Sequence, residues 1–181
     1  QRFEYEFEPK EQEEEYTKLV KTVRSEVARV NQIIKQFLDF AKPAKLNLRK
    51  CNLSDVLNEV INIIESQAEE KKITINRNFS ENIEVKVDSE KIKQAFLNIM
   101  LNSIQAIESN GDINISVQQT DKLIIDISDN GKGISKENQS KIFNLYFSTK
   151  NSGTGIGLSI VYQIISEHNG EIICESVEGK G

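Results

Sequence analysis

The strongest constraint on the fold is a heptad pattern of apolar residues near the start of the chain. From Glu13 to Ala41 the sequence reads as one long helix, which Pro43 ends because proline disfavours a helical conformation at the residue before it. Apolar residues recur along it at alternating steps of three and four: Val20, Val23, Val27, Val30, Ile34, Phe37 and Ala41. Three further residues widen this heptad seam: Leu19, Ile33 and Phe40. One helix alone has nothing to bury the seam against.

Two arrangements can cover the heptad seam. A helical bundle shared with a second chain is favoured, because the pattern is regular and ends at a proline hinge. The alternative is a surface helix that packs on its own domain. The first arrangement predicts a homodimer through the heptad helix, with residues 13–43 as a dimerisation segment.

The length and the net charge of the chain exclude several classes of protein. The chain of 181 residues is long enough for one domain with a full core and an accessory element. Its net charge of −5 argues against nucleic acid as a partner, since recognition of nucleic acid usually needs a basic face. No apolar stretch approaches the roughly 20 residues that cross a bilayer, and no signal peptide opens the chain. We therefore expect a cytoplasmic fragment without a membrane segment, from a parent that is either soluble or membrane-anchored.

Neither the cysteines nor the first residues suggest a site. Cys51 and Cys174 are far apart and belong to no CxxC or Cys/His cluster, which predicts reduced structural thiols and no zinc. In residues 1–12 aromatic residues alternate with glutamates, a strand pattern that does not fit the helix after it. We assign this N-terminal segment no role.

After Pro43 the sequence alternates between helices and strands. The predicted helices are Ser54 to Lys72, Ser89 to Ser109 and Gly155 to His168, the last ending at the helix-capping pair Asn169-Gly170. The predicted strands are Lys45 to Lys50, Ile73 to Phe79, Glu84 to Val87, Ile113 to Gln118, Leu123 to Ser128 and Ile172 to Val177. Residues 44–181 are therefore expected to form an α+β fold, a two-layer α/β sandwich with helices on one face of a mixed sheet.

The first polar cluster is an amide stripe on the helix from Ser89 to Ser109. Its members, spaced by four, four and three residues, share one helix face: Gln94, Asn98, Asn102 and Gln105. Such a stripe is usually only a solvated face. An asparagine oxygen can also complete the ligand shell of Mg2+, a cation that prefers oxygen ligands and keeps several waters.

The second polar cluster is the sequence DNGKG at residues 129–133, directly after a strand. Asp-Asn-Gly is common turn chemistry, which is the simpler interpretation. A nucleotide site would need the same residue types. A carboxylate such as that of Asp129 can accept a hydrogen bond from a base amine, and glycines let the backbone approach a flat ring.

The third cluster is the sequence GTGIGL at residues 153–158, where a helix begins. Backbone N–H groups at a helix N-terminus attract anions, and glycines let phosphates come close. A glycine run alone is weak support for a site. The spacing fits neither a dinucleotide fingerprint nor a Walker A loop.

In this order and spacing, the three clusters resemble the catalytic domain of bacterial two-component sensor histidine kinases, within the ATPase superfamily shared with gyrase, Hsp90 and MutL. The resemblance covers roughly Leu46 to Gly181. Residues 94–106 are similar to the N box, 129–133 to the G1 box, 143–150 to the F box and 153–158 to the G2 box. The heptad helix resembles the second helix of the family's dimerisation bundle. The resemblance implies a Bergerat-type ATP-binding fold.

The resemblance also implies a site for ATP and Mg2+. It assigns Asp129 to the adenine amine and Asn102 to the metal. Phe143 and Phe147 would anchor a lid between Lys132 and Gly153, which is short, as in nitrogen-regulation-type kinases. The residues implied in nucleotide binding are Asn98, Asn102, Asp129, Gly131, Gly133, Phe143, Phe147, Thr149, Lys150, Gly153, Thr154, Gly155, Ile156, Gly157 and Leu158.

Two departures from the superfamily bear on catalysis. Related ATPases hold a water-activating glutamate where this chain has Asn98, and an amide cannot accept a proton from water. The site should therefore spare ATP for a protein acceptor. Many family members also carry a lysine where this chain has Gln105, so phosphate charge is expected to fall to Lys150, Mg2+ and backbone N–H groups. The alternative is that Lys150 is a plain surface lysine.

The family phosphorylates a histidine on the first bundle helix, in a segment reading roughly His-Glu-x-x-Asn-Pro, and this sequence contains no such segment. The single histidine, His168, matches a position that is structural in the family. We therefore expect a fragment that lacks the phosphoacceptor helix and the last strand of the catalytic domain.

The leading hypothesis is a kinase core that transfers the γ-phosphoryl group of ATP to a histidine, for relay to the receiver domain of a response regulator. A second hypothesis is a non-catalytic module that docks a partner through the heptad helix and uses nucleotide as a switch. A third, an anti-sigma-factor serine kinase, is disfavoured because those proteins begin at the ATP-binding domain.

Overall fold

The computed structural model describes residues 13–41, 46–150 and 153–181. The chain divides into two units, Gln1–Pro43 and Ala44–Gly181. Some predictions made from the sequence concern residues outside the described ranges. These residues are the N-terminal segment 1–12, the proline hinge with the start of the first expected strand, and positions 151 and 152 of the lid.

In the described part of the first unit there is one helix, α1 (Glu13–Ala41), with the length that the heptad pattern predicts. Five residues of the heptad seam and its flank are more than half exposed: Leu19, Val23, Val27, Val30 and Ile34. The side chains of four others lie outside those that the structure describes: Ile33, Phe37, Phe40 and Ala41. Val20 is half-buried, so most of the described apolar face is exposed. None of the helices in the described ranges is both long and apolar enough to cross a membrane.

The second unit alternates between strands and helices, as expected. In chain order its elements are β1 (Arg49–Asn52), α2 (Leu53–Glu70), β2 (Thr74–Asn78), β3 (Glu84–Val87), α3 (Ser89–Ala106), β4 (Asp112–Gln119), β5 (Leu123–Asp129), α4 (Lys136–Gln139) and α5 (Gly157–Glu167).

The strands form two sheets where a single mixed sheet was expected. β1 and β3 pair antiparallel, while the second sheet has the order β2-β4-β5. In that sheet β2 and β4 are parallel, and β4 and β5 are antiparallel. Asp129, at the end of β5, is paired with Ile113 near the start of β4. With helices and strands in this mixture, the α+β class is confirmed.

The core lies between the three long helices and the second sheet. α3 contacts both α2 and α5, and apolar side chains from all of these elements are buried: Leu57, Ile61 and Ile64 from α2, Phe96 and Met100 from α3, Ile160 and Val161 from α5, and Ile113 and Ile115 from β4. Truncating one such side chain to alanine typically costs about 2–5 kcal/mol of stability. Close packing therefore holds α3 rigidly beside α5.

His168 joins the start of α3 to the end of α5. Its Nε2 accepts a hydrogen bond from the backbone N–H of Asp88 at 3.0 Å, and its Nδ1 lies 2.7 Å from the carbonyl oxygen of Ile164. A neutral ring with its hydrogen on Nδ1 satisfies both contacts. Asp88 is also the N-cap of α3, where its side chain accepts the N–H of Lys91. Both ring nitrogens of His168 are engaged inside the fold.

The predicted strand from Ile172 to Val177 is wrong, since no strand pairing is present in residues 171–177. Its side chains do alternate between exposed and half-buried, as a strand pattern predicts. However, the polar groups of Ser176 bind residues around α4 and not a neighbouring strand. Ser176 Oγ accepts the N–H of Ile134 at 2.8 Å, and Gln139 Nε2 donates to the carbonyl of Ser176 at 2.7 Å. The segment is tied to the loop around α4 and makes no ladder.

Two predicted boundaries also need correction. The first strand runs from Arg49 to Asn52, later than expected, because its partner β3 pairs with those residues. The third long helix starts at Gly157 and not at Gly155, because Gly155 has a φ of +67°, which an α-helix does not accept.

Candidate functional site

The amide stripe forms one wall of the candidate site. Asn98 and Asn102 are half-buried on α3, and Gln105 is exposed one turn further on. Their spacing places them along one face of the helix, as predicted. The opposite face carries buried residues such as Phe96 and Met100, so the stripe is held in place by the core.

Lys150 reaches this wall from the end of the lid. Its ammonium Nζ donates to Oδ1 of Asn102 at 3.2 Å and to Oε1 of Gln105 at 2.7 Å. Burial lowers the pKa of Lys150, and the positive charges of Lys132 and Lys71 lower it further, while Asp129 acts in the opposite direction. Lys150 is half-buried at this wall. Two amide oxygens of one helix face therefore converge on a single cation.

Asn98 connects α3 to the start of α5. Its Nδ2 donates to the carbonyl oxygen of Gly157 at 3.3 Å. The amide acts as a donor in this contact, which a carboxylate at the same position could not do. Asn98 thereby holds the glycine-rich turn against the amide stripe.

The loop at residues 129–133, named here the aspartate loop, forms a second wall. Oδ1 of Asp129 accepts the N–H of Gly131 at 3.0 Å, which is the local turn that the sequence suggested. Oδ1 of Asn130 accepts the N–H of Asp112 at 2.8 Å, so the loop is fastened to the start of β4. Gly133 follows, and the carbonyl of Lys132 accepts the N–H of Gly179 at 2.8 Å. Asp129 is thus held half-buried at the end of β5.

The aspartate loop passes close to the end of α3. The N–H of Lys132 donates to the carbonyl oxygen of Ala106 at 3.1 Å. A Cβ at Gly131 would lie 2.8 Å from that same carbonyl, so a larger residue does not fit without a backbone shift. Glycine at this position lets the loop and the amide-bearing helix approach each other.

The glycine-rich turn before α5 forms the third wall. Gly155 has a φ of +67°, and a Cβ there would lie 2.5 Å from the carbonyl carbon of Tyr146. The N–H of Tyr146 donates to the carbonyl of Gly155 at 2.9 Å, so the two segments are directly joined. Glycine meets both requirements, because it accepts positive φ and has no Cβ.

The N-terminus of α5 itself carries groups that attract anions. Its N-cap residue, Ile156, is fully buried and supplies no side-chain cap. The first N–H groups of a helix have no partner within the helix, and they carry partial positive charge. Thr154 is close by, with Oγ1 accepting the N–H of Ile156 at 3.4 Å. Leu158 is half-buried on the first turn of the helix.

The residues of the predicted lid differ in their burial and contacts. The ring of Phe143 packs on that of Tyr162 of α5 with centroids 5.8 Å apart. Phe147 is half-buried, and its N–H donates to the carbonyl of Asn144 at 3.2 Å. Thr149 is exposed. The N–H of Gly153 donates to the carbonyl of Lys150 at 3.2 Å.

The structure adds residues that the sequence did not mark as partners. Gln105 was part of the amide stripe, yet nothing in the sequence paired it with Lys150. Tyr162 lies on a helix face that periodicity identifies, but its ring contact with Phe143 depends on the lid. Lys71 was not expected near the site at all, and no sequence signal pointed to it.

These three walls suit a ligand with several phosphates. They combine amide oxygens, one ammonium group, a carboxylate and the backbone N–H groups at a helix N-terminus. The ammonium group and the backbone N–H groups can donate to phosphate oxygens, while the amide oxygens can bind a hard cation.

Residues 87–181 match the family described as histidine kinase-, DNA gyrase B- and HSP90-like ATPases. The match covers more than half of the chain and contains all three walls of the site. The chain therefore belongs to this ATPase family.

Among named relatives, the chain is similar to sensor histidine kinases. It is 36% identical over 166 residues to the sensor histidine kinase ZraS of Salmonella typhimurium. The aligned region covers 90% of this chain and 36% of the relative. It is also 34% identical over 160 residues to sporulation kinase C of Bacillus subtilis, with an aligned region that covers 87% of this chain and 37% of the relative. The chain thus spans little more than a third of the length of these relatives.

Solved structures agree with the sequence relatives. The catalytic domain of the histidine kinase ThkA is similar with a TM-score of 0.68 and 33% identity, covering 74% of this chain and 90% of that one. A structure of ThkA in complex with the response regulator TrrA has a TM-score of 0.73 and 26% identity, covering 93% of this chain and 48% of that one. The second unit is accordingly a histidine-kinase-like catalytic domain.

Proposed function

We propose that residues 44–181 bind ATP with Mg2+ and transfer the γ-phosphoryl group to a histidine on a bundle helix, for relay to a response-regulator aspartate. One observation carries the proposal: Lys150 binds the amide oxygens of Asn102 and Gln105 on the same face of α3 from which Asn98 binds the start of α5. This arrangement supports a site that combines a cation, cation ligands and anion-binding N–H groups. The family match and the similar kinases support the same activity.

The residues present fit a magnesium ion. Oδ1 of Asn102 already binds an ammonium group, so its oxygen faces a position that suits a cation. One amide oxygen is a sufficient protein contribution, because Mg2+ usually keeps several waters and takes other ligands from phosphate. Bound Mg2+ would supply charge neutralisation for the transferring phosphoryl group. Asn102 is the proposed ligand.

The residues also fit ATP. The carboxylate of Asp129 would accept a hydrogen bond from the adenine amine, with Gly131 and Gly133 keeping the aspartate loop open to the base. Lys150 and the N–H groups at the start of α5 would bind the phosphates. The rest of the proposed binding surface is formed by Asn98, Phe143, Phe147, Thr149, Gly153, Thr154, Gly155, Ile156, Gly157 and Leu158.

In the proposed transfer, positioning by the protein is the main contribution, since phosphoryl transfer needs little covalent chemistry from it. Asn98 would hold the turn at Gly157 and, as an amide, would not draw a proton from water. Lys150 would move from the amide oxygens to the phosphates and offset their charge. The γ-phosphoryl group is then kept for an imidazole acceptor.

The proposed partners follow from the two units. Residues 13–43 would be the second helix of a dimerisation bundle, so that the exposed heptad seam binds a second copy of the chain. A receiver domain would accept the phosphoryl group, in line with the ThkA structure that contains a response regulator. We place this chemistry in the cytoplasm.

Phosphotransfer tests this proposal. The 181-residue chain is incubated with labelled Mg–ATP, alone and with a polypeptide that carries the family's first bundle helix. We expect acid-labile label only on the added polypeptide, since both ring nitrogens of His168 are engaged in the fold. Asn102→Ala should lose the transfer, and the exposed Asn76→Ala should keep it. Label on His168, or none on the added helix, contradicts the proposal.

A further inference from the structure

A lysine outside the predicted site closes the end of the helix that carries Asn102. Lys71 directly follows α2, and its Nζ donates two 2.7 Å hydrogen bonds, to the backbone carbonyls of Ile104 and Ile107. Ile107 is the C-cap residue of α3. The last carbonyls of a helix have no partner within it, and a cation suits the negative end of the helix dipole. Lys71 therefore holds the end of α3 through two charge-assisted hydrogen bonds.

The backbone of Lys71 is bound to the same region. Its carbonyl accepts the N–H of Asn110 at 2.9 Å, four residues after α3 ends. The next residue, Lys72, has a φ of +56°, and its N–H closes the turn on the carbonyl of Glu69 at 2.9 Å. The Lys71 ammonium is thus presented from a turn whose main chain is already fixed, so it can hold the end of α3 in one place.

The same helix end supports the aspartate loop. Ala106 lies between the two carbonyls that Lys71 binds, and its own carbonyl accepts the N–H of Lys132. Gly131 passes too close to this carbonyl to allow a Cβ. A displacement of the end of α3 would therefore move Asn102 and the aspartate loop relative to each other.

We infer that Lys71 is a positioning residue, which holds the metal-ligand candidate Asn102 in register with the aspartate loop without touching the nucleotide. The inference rests on the proposed Mg–ATP site. Lys71 is also close enough for its charge to lower the pKa of Lys150, so it adds to the positive potential on the phosphate side.

Three variants of the full chain separate positioning from charge. Lys71→Met removes the charge and both hydrogen bonds, Lys71→Arg keeps the charge and donors, and Lys72→Met removes the same charge from an exposed neighbour. The first readout is hydrogen exchange of the Lys132 backbone amide by NMR, without nucleotide. We expect it to accelerate about tenfold in Lys71→Met, because its acceptor carbonyl is no longer held, and to stay near wild type in the other two.

The second readout is metal coupling, the ratio of ADP dissociation constants without and with Mg2+ from calorimetry. Positioning predicts that Lys71→Met lowers this ratio about fivefold or more. Loss of charge alone would weaken the binding of free ADP more than that of the less negative Mg–ADP, and would therefore raise the ratio. Lys71→Arg should restore the ratio. If Lys71→Met does not fold, Lys71→Gln, which keeps a neutral donor, is measured in its place.

The outcomes are distinct. A lower melting temperature in Lys71→Met with unchanged Lys132 exchange, and with metal coupling that is unchanged or raised, overturns the inference, because Lys71 would then act through stability or charge alone. Absence of ADP binding by the wild-type chain would overturn the proposed function instead. In that case, exchange at Lys132 still decides whether Lys71 holds α3 in register with the aspartate loop.

Discussion

The ammonium group of Lys150 donates a 2.7 Å hydrogen bond to Oε1 of Gln105, a residue 45 positions earlier in the chain. The neutral glutamine accepts from Lys150, where a second lysine would repel it. The ammonium group of Lys150 is thereby held beside Asn102, to whose Oδ1 it also donates at 3.2 Å.

Lys150 should therefore contribute to nucleotide affinity. Lys150→Met is expected to weaken Mg–ATP binding about tenfold or more, since hydrogen bonds to charged groups contribute about 1.5–3 kcal/mol. The measurement is calorimetric titration. Lys122→Met, which removes the same charge from the exposed β4–β5 turn, is the control and should bind like wild type. Equal affinities for all three proteins would exclude a phosphate contact by Lys150.

Asp129 should be required for adenine recognition. Asp129→Ala removes the proposed acceptor of the adenine amine and the acceptor of the Gly131 N–H, each loss costing about 1–3 kcal/mol. We expect ADP binding to fall below detection by calorimetry. Asp126→Ala, an exposed carboxylate on the same strand, should leave affinity unchanged. A persistent affinity in Asp129→Ala would remove this residue from the site.

Gly155 and Gly157 should respond differently to the same substitution. Gly155→Ala places a Cβ at positive φ against the Tyr146 backbone and should destabilise the domain by about 1–3 kcal/mol. At Gly157 a Cβ would meet Asn98 at an ordinary contact distance of 3.8 Å, so Gly157→Ala should be close to neutral. Urea unfolding monitored by circular dichroism compares them. Equal destabilisation would contradict the geometry of the turn.

The heptad seam should mediate association of two chains. Val27, 55% exposed on α1, is expected to lie against the second copy, so Val27→Asp should shift the chain to monomer. Sedimentation equilibrium over a range of concentrations measures this. Ser25→Asp introduces the same charge off the seam and should remain dimeric. A wild-type chain that is monomeric at high concentration would favour the packing of α1 on its own domain.

Local patterns in the sequence predicted most of the elements. The seam of α1, the amide stripe of α3 and the turn at Asp129 each depend on residues a few positions apart, which periodicity and turn chemistry describe well. The segment from Ile172 to Val177 shows the limit of this reasoning. It alternates as a strand does, yet a strand also needs a neighbouring backbone to pair with, and here Ser176 is bound to the loop around α4 instead.

The sequence by itself determined the class of the domain, the order of its glycine and amide clusters and the candidate residues, because these are carried by residue type and short spacing. Only the tertiary structure decided which of them meet. Gln105 pairs with Lys150, Asn98 with Gly157, and Lys71 with the end of α3, across 45, 59 and at least 33 residues. Such contacts depend on how α2, α3 and α5 pack over the sheet, since the packed core sets the helix positions and therefore which polar groups can meet.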